Sequence, residues 1–322
     1  MVNIIVELSK YLMIILIAAY TFSCFSVFAQ HDLVRKKKIL GRQNRLMFTI
    51  QLIAYLVMFL QTKELELVFF YLAQVVLLIA IILLYINIYP RSSRLVVNNM
   101  CMLICVGFIM ITRLDYATAV KQFVFVAISV TVSLVVPVII RRLKFLSKWT
   151  NFYAGVGIAA LLFVAVLGQT SYGAKLGFSI GGISIQPSEF VKILFVFYVA
   201  SSLRISTDFK NVVKTTIVAA LHVLILVAST DLGAALIMFV VYLVMLYVAT
   251  RQPLYVLAGL GGGSVASVLA YHLFGHVRTR VEAWKDPFAT YADGGYQVAQ
   301  SLFAIGTGGW FGMGLYQGMP DK

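Results

Sequence analysis

The sequence predicts an all-α fold: a polytopic membrane bundle of about ten transmembrane helices with a large extracytoplasmic loop at its C-terminal end. Three observations carry that expectation. The chain is 61% hydrophobic and only 12% charged, with a mean hydropathy of +0.94, which excludes an ordinary soluble domain. Its apolar runs are continuous, and most approach the roughly 20 residues that a spanning helix needs. Barrel strands would instead alternate in polarity. Basic residues also collect in every second loop.

In chain order the runs fall at 11–29, 46–60, 67–88, 95–111, 123–140, 152–168, 190–203, 215–230, 234–249 and 254–274, with the second and seventh the shortest. The first is followed by HDLVRKKK rather than a small-residue cleavage site, so it reads as a retained anchor. One set of loops holds Arg35, Lys36, Lys37, Lys38, Arg42 and Arg45, then Arg91 and Arg94. The set continues with Arg141, Arg142, Lys144 and Lys148, then Arg204, Lys210, Lys214 and Arg251, against two acids, Asp32 and Asp208. Basic loops stay in the cytoplasm, so the N-terminus and residues 275–322 are expected outside. The net charge of +14 is thereby assigned to loops and not to nucleic-acid binding. Cys24, Cys101 and Cys105 lie inside apolar runs and read as packing residues.

Polar groupings interrupt this background at few places. QPSEFVKI, 186–193, opens the seventh run. Pro187 suits the first helical position, where its missing N–H costs nothing, and Glu189 complements the helix dipole. Lys192, three residues on, shares a face with Glu189 about one turn into the membrane. Facing lipid it would cost roughly 2.5–3.5 kcal/mol, so it is expected to point into the bundle, paired with Glu189 or another acid. A structural ion pair and a functional ionisable site both fit that placement. Asp231, opening the ninth run, reads foremost as a helix cap. Gly259 and Gly263 are spaced for close helix approach, and no Gly-Lys-Ser/Thr ending supports a nucleotide loop. His222 and His272 stand apart in their spans, without metal-ligand spacing. Arg113 and Lys121 flank an outer turn as interfacial anchors.

The last stretch, HVRTRVEAWKDPFATYADGGYQVAQSLFAIGTGGWFGMGLYQ, mixes basic, acidic, aromatic and glycine residues outside any apolar run. Arg278 and Arg280 suit an anionic lipid or a pyrophosphate. Pro287 restricts Asp286 to an extended conformation that presents its carboxylate. Trp284 and Phe288 flank that carboxylate with apolar bulk, whose burial would raise its pKa toward that of a general base. Gln297 and Gln300 offer neutral hydrogen bonds of the kind sugars need. An interfacial loop anchored by its aromatic residues is the plainer alternative. GTGGWFGMGLY is too apolar for a solvated tail, and the end at Lys322 reads as a truncation.

QPSEFVK at 186–192, DLGAAL at 231–236 and RVEAWKDPF…GGYQVAQSLFAIGTGGWFGMGL at 280–315 resemble the SEDS family (shape, elongation, division and sporulation), which includes FtsW, RodA and SpoVE. The likeness covers roughly residue 113 to the end. It implies a peptidoglycan glycosyltransferase that polymerises lipid II outside the plasma membrane, working in cell shape or division with a class B penicillin-binding protein. By the same likeness Asp286 is the aspartate needed for polymerisation. Gln186, Glu189 and Lys192 fall in the QPSE-x-x-K motif, Asp231 in DLG, Arg280 on a basic position ahead of the aspartate, and Lys175 in a conserved outer segment. Gly177 stands where the family commonly has an aromatic residue, and Thr230 where a proline usually precedes DLG. The implied organisation is three additional helices at 1–94, a family core at 95–274 and an incomplete catalytic loop at 275–322. The family continues with three more helices and another outer segment.

The chemistry expected is inverting glycosyl transfer. Asp286 takes the proton of an acceptor 4-hydroxyl while Arg278 or Arg280, with Lys192, steadies the departing pyrophosphate. A divalent cation is compatible with this, although the sequence identifies no dedicated ligands. The rivals are a transporter of lipid-linked precursors, which should gather its ionisable groups near the midplane, and a non-catalytic division scaffold.

Overall fold

The computed structural model describes residues 2–142, 144–171, 174–180 and 183–318; side chains at 2–3, 144–145, 169–185 and 293 lie outside the description. The helices are α1 (Val2–Ala29), α2 (Leu33–Thr62), α3 (Glu66–Ile88), α4 (Arg94–Leu114), α5 (Tyr116–Arg142), α6 (Thr150–Leu167), α7 (Pro187–Ile205), α8 (Phe209–Ala228), α9 (Leu232–Thr250), α10 (Pro253–Leu273), α11 (Gly275–Lys285) and α12 (Tyr296–Gly308). Nine helices among the described residues are long and apolar enough to cross a membrane. The seventh expected span, α7, forms a 19-residue helix but carries Glu189, Lys192 and Arg204, and so falls outside that set.

Two outer segments carry regular structure that the sequence reading did not assign. The outer segment after α6, which holds Lys175, forms a small antiparallel sheet in the order β1 (Gln169–Ser171), β2 (Ala174–Ile180), β3 (Ile183–Ile185), with Thr170 opposite Lys175 and Phe178 opposite Ile185. FSI and ISI within it alternate apolar and polar residues, the period of a pleated strand. The terminal outer loop holds two helices, α11 and α12. α2 likewise begins well before its apolar run. Asp32 accepts the Val34 N–H at 2.9 Å as its cap, and the Lys, Arg and Gln residues that follow are good helix formers.

The elements pack as two compact units, Met1–Ile139 with Gln300–Lys322, and Ile140–Ala299. In the first, Met47, Met58, Leu78, Ile81, Cys101 and Cys105 form a dry core. The cysteines are free thiols used as small packing groups, as expected. Fully buried amides join its helices. Gln51 donates to Gln74 at 3.1 Å, Gln74 donates to the Tyr55 hydroxyl, and that hydroxyl meets Thr112 at 2.9 Å. Asn98 donates to Gln43 at 3.0 Å. Lipid offers no substitute partner for such groups, so these bonds fix α2 and α3 to α4. Leu315 and Tyr316 also pack on this core, and Arg113 donates to the Gly318 carbonyl at 2.6 Å.

The second unit centres on Phe195, Tyr198, Leu226 and Met238. His222 is fully buried, and its Nδ1 lies 2.8 Å from the Val218 carbonyl. Gly157 makes room for it, because a Cβ there would sit 2.7 Å from Nε2. The glycines of α10 act as the spacing suggests. A Cβ at Gly259 would lie 2.4 Å from Leu243, and one at Gly263 would lie 2.6 Å from Phe239, so both admit side chains of α9.

Candidate functional site

The site residues of the second unit gather at two helix starts and one helix end. Pro187 occupies the first turn of α7 as expected, and the Glu189 N–H bonds back to the Gln186 carbonyl at 3.1 Å. Lys192 Nζ lies 2.7 Å from Glu189 Oε2; the lysine is 24% exposed and the glutamate 57%, so the cation is the more covered partner. Asp231 caps α9 by accepting the Ala234 N–H on Oδ1 at 3.0 Å. Its Oδ2 accepts from Gln186 Nε2 at 3.2 Å and from the Ser188 hydroxyl at 3.4 Å. A carboxylate that sequence reasoning treats mainly as a cap therefore also clamps α9 to α7. Ser188 was not anticipated, although its place in the QPSE motif was a signal for it.

The turn between α8 and α9 holds the clamp in position. Thr230 adopts a left-handed φ of 66°, its N–H donates to the Val227 carbonyl at 3.1 Å, and the Asp231 N–H donates to Leu226 at 3.0 Å. The Val227 carbonyl also lies 3.1 Å from His276 Nε2, which must carry the proton because a carbonyl only accepts. His276 belongs to the first turn of α11 and was not singled out from the sequence. Through it α11 is tied to the turn that carries Asp231.

Asp286 is the C-terminal cap of α11, with φ −141° and ψ 84°, the extended backbone that a following proline imposes. Its N–H still bonds to Glu282 at 2.9 Å, while its Oδ1 accepts the Ala289 N–H at 3.0 Å and fastens the next turn. Oδ2 has no protein partner among the described residues, and the residue is exposed. One flanking expectation is corrected: Trp284 is 74% exposed and Phe288 56% exposed, so neither ring encloses the carboxylate. An 11-residue helix with a single buried residue, Ala283, has too little apolar surface to fold those rings inward.

The turn itself depends on Gly295. Its N–H bonds to the Thr290 carbonyl at 2.8 Å, and a Cβ would lie 2.3 Å from the Pro287 carbonyl oxygen. Real Cβ atoms do not approach backbone so closely, so Gly295→Ala is expected to displace the Asp286–Pro287 turn. The displacement should cost about 1–3 kcal/mol and lower the melting temperature in detergent. Melting unchanged from the parent protein would contradict this close packing.

Arg278 and Arg280 are both exposed. The first donates to the His272 carbonyl at 3.4 Å and lies 5.9 Å from the Tyr271 ring. Arg280 makes no polar contact among the described residues. Gln297 lies in the first turn of α12 and is exposed, whereas Gln300, further along that helix, belongs to the other unit. The side chain of Lys175 lies outside the described residues. No polar contact among the described residues joins Asp286 directly to Glu189, Lys192 or Asp231. No three His, Cys, Asp or Glu side chains among them converge to hold a metal. A divalent cation at Asp286 would draw its remaining ligands from substrate and water.

The FtsW/RodA/SpoVE cell-cycle protein family matches residues 93–322. A peptidoglycan glycosyltransferase RodA of Mycobacterium leprae is 31% identical over 258 residues, 72% of this chain and 55% of that protein. A probable peptidoglycan glycosyltransferase FtsW of Saccharophagus degradans is 31% identical over 243 residues, 67% of this chain and 60% of its own length. A probable FtsW of Geobacter sp. is 34% identical over 181 residues, 53% of this chain and 48% of that protein. The chain thus spans about half the length of the curated relatives it matches. No solved structure matches it. With the QPSE and DLG helices clamped together and the aspartate of WKDPF held at the end of α11, the match over residues 93–322 identifies the chain as a member of the FtsW/RodA/SpoVE (SEDS) family and a multi-pass protein of the bacterial plasma membrane.

Proposed function

We propose that the protein polymerises lipid II into glycan strands, in cell-shape or division work, with Asp286 as general base. The observation that supports this most is the asymmetry of that carboxylate. Oδ1 is spent on the Ala289 N–H, while Oδ2 is exposed and unpartnered among the described residues. In the reaction Oδ2 takes the proton of the acceptor sugar 4-hydroxyl. The hydroxyl oxygen bonds to the anomeric carbon of the lipid-linked donor as the bond from that carbon to the pyrophosphate breaks, and the electron pair leaves with the pyrophosphate. Arg280, exposed and without a polar partner among the described residues, and Arg278 supply positive charge for that leaving group. Gln186, Glu189 and Lys192 would shape the substrate groove, with Lys175 and Gln297 contributing cationic and neutral contacts.

In this reading α1–α3 are additions to a family core, and the basic loops face the cytoplasm with the N-terminus and residues 275–322 outside. A class B penicillin-binding protein would crosslink the product. A cysteine placed at Ala289, with the protein in intact cells, is expected to react with a membrane-impermeant maleimide. The purified full-length protein is expected to convert lipid II into glycan chains resolvable by gel electrophoresis. Labelling only after the membrane is opened would overturn the orientation, and a folded protein that leaves lipid II unpolymerised would overturn the activity.

A further inference from the structure

The second unit carries a cavity of about 570 Å³ that the proposed chemistry does not use. It lies between the start of α6, the end of α7 and the start of α8, lined by Lys148, Trp149, Thr150, Asn151, Ser202 and Lys214 among others. Its size falls within the roughly 300–1,000 Å³ of small-ligand sites. We propose that this cavity binds the phosphate headgroup of an anionic membrane lipid.

Four independent features support that ligand. Lys148 and Lys214 are exposed, neither is ion-paired among the described residues, and no acidic side chain lines the cavity. The first turn of α6 has no side-chain cap, so its free N–H groups and the helix dipole present positive charge. The Thr150 hydroxyl oxygen is buried and has no hydrogen-bond partner among the described residues. At the rim, Trp149 and Phe152 pack edge to face at 5.2 Å and are 46% and 53% exposed, the placement of interfacial aromatics at headgroup depth. The cations and N–H groups fit a phosphoryl group, and the exposed rings fit the acyl chains beside it. Together they favour a lipid over a free phosphate. In the orientation proposed above, the lipid would come from the cytoplasmic leaflet.

The chain has three tryptophans, so Trp284→Phe with Trp310→Phe leaves Trp149 as the sole tryptophan, excited selectively at wavelengths where tyrosine does not absorb. This protein, placed in phosphatidylcholine vesicles, is titrated with brominated phosphatidylglycerol or brominated phosphatidylcholine at equal mole fraction. Quenching should be stronger with the anionic lipid, and Lys148→Gln or Lys214→Gln should each lower its occupancy about fivefold. Arginine at both positions should restore the excess. Equal quenching by the two lipids, or an excess that survives both glutamines, overturns the proposal. Relief of the excess by inorganic phosphate assigns the cavity to free phosphate instead. Quenching is indifferent to which leaflet the loops face, so a failure here is separable from a failure of the orientation.

Discussion

Asp286→Asn is expected to lower glycan polymerisation by about 10²–10⁴-fold, the usual worth of a positioned general base, while leaving the fold intact. The two halves of that expectation come from the two oxygens. Asparagine keeps an acceptor at Oδ1, so the 3.0 Å bond from the Ala289 N–H and the turn it fastens survive. What disappears is the capacity to take a proton at the other position. Melting should therefore match the parent while turnover collapses. Asp286→Glu makes a useful contrast, because it retains the base but moves it by a methylene. A misplacement of about 1 Å can cost about 10²-fold in rate. An asparagine variant that folds and still polymerises lipid II at the parental rate would remove Asp286 from the chemistry.

Thr230→Pro, which introduces the residue the family commonly has before DLG, is expected to destabilise this protein by about 3 kcal/mol or more. Proline fixes φ near −65°, whereas Thr230 sits at 66°. The substitution also removes the N–H that bonds to Val227 at 3.1 Å. It further disfavours the preceding Ser229, whose φ −80° and ψ 6° lie where a residue before proline rarely goes. The damage should spread, because the same Val227 carbonyl receives His276 and the next residue is the Asp231 clamp. Thr230→Gly should stay close to the parent, since glycine adopts a left-handed φ without the roughly 1–2 kcal/mol that a Cβ costs. Thermal melting in detergent reads both variants. A proline variant as stable as the parent would mean that the turn does not need its left-handed residue.

Much of this was legible in the sequence where one element carries the whole signal. The apolar runs located the helices, the i, i+3 spacing paired Glu189 with Lys192, and Pro187 marked the start of α7. The pair Gly259 and Gly263 announced a close helix crossing, and Pro287 set the extended backbone at Asp286. Contacts between distant segments were not legible. Gln186 and Asp231 are 45 residues apart, and His276 reaches a carbonyl 49 residues earlier. α11 was hidden for a different reason: GHVRTRVEAWK has the charge of a loop, and its helix buries only Ala283. The sheet after α6 escaped because two of its strands have only three residues, and the alternation in the seven-residue β2, AKLGFSI, is too short to stand out beside the long apolar runs.

The crossing of α9 and α10 has a consequence for reactivity at a remote point. α10 buries none of its residues, so its distance from its neighbour is set where Leu243 and Phe239 enter the spaces left by Gly259 and Gly263. α10 in turn leads directly into α11, whose last residue precedes Asp286. Two absent side chains thus act as a gauge block for the Asp286 carboxylate, and thickening that seam is expected to move it without touching anything near it.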